Sequence, residues 1–110
     1  MAISNAAILT TDTTLLTVPA SKKYALTTLL VCNKGTDDGT GSADTNFDCH
    51  IIPDGQSKSD TNLILNNLVV TAADTFTFSA ERLILEAGDR VLLNSASPTN
   101  LVATLSYLEV

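Results

Sequence analysis

Leu83-Ile84-Leu85-Glu86-Ala87-Gly88-Asp89-Arg90-Val91-Leu92-Leu93, followed after a polar gap by Leu101-Val102-Ala103-Thr104-Leu105-Ser106-Tyr107-Leu108-Glu109-Val110, points most directly to the fold class. It reads as strand, tight Gly-Asp turn, strand, loop, strand. Gly88 is expected at positive φ, where a Cβ would be penalised. Ser97-Pro98-Thr99-Asn100 supplies the second turn.

The same alternation of short apolar runs and turn signals continues towards the N-terminus. Thr75 to Ser79 alternates and can bury Phe76 and Phe78, and Ala72-Ala73-Asp74 turns the chain before it. Asn62 to Thr71 is strand-like, with Asn66-Asn67 suited to a bulge. Asn46 to Ile52 places Phe47, Cys49 and Ile51 on one face and Asp48 and His50 on the other, towards solvent. Tyr24 to Asn33 is the longest strand, and its Leu29-Leu30-Val31 run predicts a central position or burial on both faces. Ala6 to Thr10 and Thr13 to Val18 are expected as two further strands. Ala80-Glu81-Arg82 is expected as a short helical turn. Lys34 to Thr45 and Pro53 to Asp60 read as exposed loops. About eight short antiparallel strands at roughly 8–12-residue spacing predict an all-β sandwich or Greek-key barrel.

One domain spanning residues 1–110 fits the length, with residues 1–5 expected as an N-terminal arm. The composition is 45% hydrophobic and 16% charged, with no Trp and 5% aromatics, so the core must be aliphatic. The net charge is −6, and the six basic residues (Lys22, Lys23, Lys34, Lys58, Arg82 and Arg90) form no stripe. Nucleic acids and anionic membranes need such a stripe, so neither is an expected partner. Low charge with high aliphatic content predicts a surface that other protein covers. The N-terminus has no basic region before an apolar one, and no apolar run approaches the roughly 20 residues of a membrane span.

Residue types with chemical potential are few and scattered. His50 is the only histidine, and it points away from Cys49 on one strand, so a zinc site has no converging ligands. Cys32 and Cys49 read as free, small, buried hydrophobes, on strands that flank one loop. Asp44-Thr45-Asn46-Phe47-Asp48 begins like a calcium loop, but Cys49 and Gly55 stand where Gly and Glu are needed. Asp37, Asp38, Asp44 and Asp48 read instead as a solvated acidic loop. Glu86 with Asp89, and Glu81 with Arg82, read as turn chemistry and surface ion pairs. Gly35, Gly39 and Gly41 do not form a phosphate-binding fingerprint. No catalytic residue, cofactor-binding residue or metal ligand is assigned, and an enzyme is not expected.

The order of elements resembles small virion proteins of tailed bacteriophages. The resemblance rests on Ala25 to Asn33, the Phe47 to Pro53 strand, Val70 to Phe78, Leu83 to Val91 and the closing Val102 to Val110 strand. It covers most of the chain. It implies a structural protein of the particle, made in the host bacterial cytoplasm. Head decoration (cement) proteins of this kind act as homo-oligomers, often trimers, on the major capsid protein. A neck, tail or baseplate component is the alternative within the class. A carbohydrate- or ligand-binding sandwich is the alternative outside it, disfavoured because Tyr24 and Tyr107 are the only Tyr and Trp is absent.

Overall fold

A computed structural model describes residues 2–79 and 83–110. Among these residues, nine antiparallel strands form two sheets packed as a sandwich, not a closed barrel. They are β1 (Ala2–Ala7), β2 (Thr13–Thr17), β3 (Lys23–Asn33), β4 (Thr45–Ile52), β5 (Leu63–Val70), β6 (Thr75–Ser79), β7 (Ile84–Glu86), β8 (Arg90–Ser95) and β9 (Leu101–Glu109). A 3-10 turn at Asp60–Asn62 is the one helical element among the described residues, and no helix there is long and apolar enough to cross a membrane. The expected helical turn at Ala80-Glu81-Arg82, and any Glu81–Arg82 contact, lie outside the described residues.

Sheet A runs β1-β9-β3-β6, with β7 also pairing β3; sheet B runs β2-β8-β4-β5. Since β6 covers Thr28 to Cys32 of β3 and β7 covers Lys23 to Ala25, the two act as one interrupted lane. The eight lanes then follow the strand order of a jelly roll, two interlocked Greek keys in which the chain repeatedly crosses between sheets.

The inner faces meet in an aliphatic core that includes Leu29, Val31, Leu93, Leu101, Leu105 and Val91, with Phe47 as its largest side chain. Phe47 meets Phe76 at a centroid distance of 6.0 Å, a tilted pair of the kind aromatic rings prefer. The expected central strand is β3, flanked by β9 and by β6 and β7. Burial of β3 on both faces is not found: Leu30 is 37% exposed on the outer face.

Two loop features follow from local chemistry. Gly88 has φ +88°, and an added Cβ would overlap the Asp54 carboxylate. Its N–H donates to the Val18 carbonyl, and the Asp89 carboxylate accepts from the N–H groups of Glu86 and Asp54, each at 2.9 Å. The bulge expected at Asn66-Asn67 is present: Asn67 has φ +50°, and its N–H donates to Asp48.

The N-terminal segment departs from expectation. Ala2 to Asn5 of the expected N-terminal arm belong to β1, the edge strand of sheet A, and the strand ends at Ala7 rather than spanning Ala6 to Thr10. Ser4 and Ala6 are half-buried against the core side, and the Ser4 hydroxyl donates to the Leu15 carbonyl at 2.6 Å, tying β1 to β2. Small, uncharged residues let this segment close the side of the sandwich.

Candidate interaction surface

The registers bring the outward side chains of sheet A into continuous rows. One row is Ile3–Ser106–Thr28–Ser79, the next Asn5–Thr104–Leu30–Thr77, the third Ala7–Val102–Cys32–Thr75. Ile84–Ala25–Leu108 extends the face beyond a bulge at Leu26/Thr28. None of these positions is charged. Hydroxyls cross-link the centre, where Thr27 donates to the Ser106 carbonyl at 3.0 Å. Among the described residues, charge on this sheet gathers at one end, as the exposed pairs Lys22–Glu109 and Lys23–Glu86.

The outer face of sheet B is built differently. Its central row is Thr14–Leu92–His50–Leu63, with Arg90 beside Ile52 and Asn94 beside Asp48 in the flanking rows. The Pro53–Asn62 segment folds back over this face. Arg90 donates to the Gln56 carbonyl at 2.9 Å, Asn62 to the Ser57 carbonyl at 3.0 Å, and Lys58 pairs with Asp12 at 2.8 Å. Ile52 and Leu92 are thereby buried outside the main core.

This roof corrects the reading of His50. The ring does point away from the core, but it is only 4% exposed. Burial first, then the Lys58 ammonium, hold its pKa below the ordinary histidine value, against the opposing pull of Asp48, Asp12 and Asp60. Its Nδ1 and the Asn94 Oδ1 are buried with no hydrogen-bond partner among the described residues. Strand alternation assigns a face; it does not show that a loop further along the chain will cover that face.

The cysteines are free but do not share a ladder. Cys49 sits in β4 of sheet B, buried, and burial pushes its thiol up to about 12. Cys32 lies on the outer face of sheet A and is exposed, contrary to the expectation of two buried thiols. The acidic loop residues serve the backbone rather than converging. Asp38 accepts from the Thr40 N–H and from the Thr40 and Ser42 hydroxyls, and the Thr40 hydroxyl bond leads in lowering its pKa. Asp44 accepts from the Ala72 N–H and Asp48 from that of Asn67. Among the described residues no group of three or more His, Cys, Asp or Glu is arranged to hold a metal ion.

Asn33 is a key structural residue that no motif announces. It is 1% exposed, and its amide donates to the carbonyls of Ala43 and Val70 at 2.8 and 2.9 Å while its oxygen accepts from Gly35 N–H at 2.8 Å. It thus pins the acidic loop and the end of β5 to β3. The tyrosines that could have stacked on a sugar are occupied with each other: Tyr24 and Tyr107 lie 4.6 Å apart and are half-buried. Between the sheets a cavity of about 10 Å3, lined by Cys49, Ile51, Phe78, Val91 and Leu105 among others, is apolar and has room for about one water. That is far below the roughly 300 Å3 at which small-molecule pockets begin. The broad surface feature is therefore the outer face of sheet A, uncharged in its rows from β1 to β6, with its edge strands. No protein-family model, no curated protein and no solved structure matches this chain.

Proposed function

We propose that the protein is a non-enzymatic structural protein of a tailed-phage particle, a head decoration protein that acts as a homo-oligomer on the major capsid protein. The observation that carries the reading is the outer face of sheet A, whose rows from β1 to β6 hold no charged residue, on a chain of net charge −6. A surface of Thr, Ser, Ala and aliphatic side chains costs little to desolvate, and its hydroxyls can be satisfied by a partner's polar groups. The jelly-roll strand order supports the reading by analogy, since capsid domains use it alongside lectins and cupins. The half-buried tyrosine pair and the one-water cavity weigh against the ligand-binding alternative.

The mechanism would be burial repeated over many copies. Each contact removes apolar surface from water at about 25 cal/mol per Å2, and a standard interface covers about 800 Å2 per partner. Repetition over a shell turns modest contacts into resistance against internal pressure. The corrected N-terminus changes how attachment would work. Deleting residues 1–5 would remove most of β1 and expose β9, so the segment cannot serve as a detachable staple.

Immunogold labelling of intact particles with antibody to this chain tests the reading. Gold over the head is expected. Gold at the neck or tail would move the protein to a connector or tail role, and unlabelled particles would overturn the virion reading altogether.

A further inference from the structure

Most edges of the sandwich are blunted. β2 carries a register shift at Thr14/Leu16 and is flanked by Asp12 and Pro19. β5 bears the Asn67 bulge and register shifts against β4. β6 is five residues long, and β7 is three and carries Glu86. Such devices keep edges from pairing with other chains. β1 has none of them. Its six residues hold an unbroken register with β9 and include no charge and no proline.

The hydrogen-bonding phase of β1 follows from one contact. Ile8 N–H donates to the Leu101 carbonyl at 2.9 Å, continuing the β1–β9 register. Bonded pairs alternate in an antiparallel ladder, so Ala2, Ser4 and Ala6 exchange bonds with β9. The N–H and C=O groups of Ile3, Asn5 and Ala7 therefore point to the open edge. Among the described residues β1 stands at the end of the sheet A strand order and pairs with β9 alone, so that side of the strand carries no ladder.

We propose that this edge is filled by β1 of a second copy of the chain, antiparallel about a two-fold axis through Asn5. A sheet that continues with both outer faces on one side needs outward residues to oppose outward residues. With Asn5 opposite Asn5, Ile3 opposes Ala7, and each open-edge group of the three residues gains a partner, about six hydrogen bonds in all. A register slip in either direction leaves Ala7 or Ile3 without a partner inside the strand. The contact is isologous, as two-fold dimers require. Charge favours the same choice: copies of a −6 chain repel one another, and β1 with the adjoining β9 row brings no carboxylates face to face. The pairing belongs to the isolated chain and does not depend on the virion reading.

Sedimentation equilibrium on the purified full chain is the first measurement, and twice the 11.6 kDa chain mass is expected. Asn5→Pro removes the open-edge N–H at the axis and no bond to β9, so it should yield a folded monomer. Asn5→Cys in a Cys32→Ser background should be joined into a covalent dimer by a short bis-maleimide, because residues opposed in a bonded pair lie about 5.5 Å apart at Cα with their side chains on the same face. If Asn5→Pro fails to fold, the cross-link alone decides. A wild-type monomer at every soluble concentration would overturn the proposal. So would a dimer that survives Asn5→Pro, or one that fails to cross-link through position 5.

Discussion

The two outer faces of this sandwich come from strands with the same inward–outward alternation, yet they meet solvent in opposite ways. Sheet A presents uncharged Thr, Ser, Ala and aliphatic side chains in regular rows, open from β1 to β6. Sheet B carries Asp48, His50, Arg90 and Asn94 and is roofed by the Pro53–Asn62 segment. An outward strand position is therefore not yet a surface position. Sheet A's outer face is available to another chain; sheet B's has become a second, small interior.

One leucine on each face puts this contrast to its hardest test. Leu92 is 5% exposed under the roof, whereas Leu30 is 37% exposed in the open rows. Leu92→Lys should cost about 4 kcal/mol, the penalty of an unpaired buried charge, while Leu30→Lys should stay within about 0.5 kcal/mol. Urea unfolding of both variants measures this. Equal losses would mean that the two faces do not differ.

Next in size is the tie between the sheets. Asn33→Ala leaves the Val70 and Ala43 carbonyls and the Gly35 N–H without their partner, and about 3 kcal/mol of stability should go with them. The acidic loop should become protease-sensitive at the same time. A loss below about 1 kcal/mol, the net worth of one ordinary hydrogen bond, would show that water replaces the amide.

His50 probes the roof more gently. Its folded pKa lies below the ordinary value of 6.5, so in acid the unfolded chain takes up a proton that the folded chain resists. Stability should therefore fall as pH drops below about 6.5, at no more than about 1.4 kcal/mol per pH unit from this one group. His50→Gln should flatten that part of the profile, and a profile identical to wild type would remove His50 as its source. The smallest effect concerns reactivity alone. Cys32 should react with a thiol reagent in the folded protein, whereas Cys49, held protonated by burial at a pKa of about 12, should react only on unfolding.

Much of this architecture is legible in the chain. The alternation in Phe47, Cys49 and Ile51, the Gly88 turn and the Asn66-Asn67 bulge are local patterns, and local patterns report strand, turn and face. Three features are not legible. β1 escapes local reading, because Ala2 to Ala7 is too small and polar to signal a strand until β9 lies beside it. Cys32 gives no sign of its exposure, because a cysteine suits a core as well as it suits a sheet face. Asn33 gives no sign of its role, because its partners lie 10 and 37 residues away.

Composition and local pattern suffice for an all-β chain, one that alternates, turns at Gly and Pro, packs an aliphatic core and carries net negative charge. Those properties depend on residue types and on neighbours a short way along the chain. Three others came only with the folded molecule: which strands lie at the edges, which outward face is roofed, and that β1 offers an unprotected edge. They depend on which distant segments come together, and the period of a strand carries no information about what will cover it.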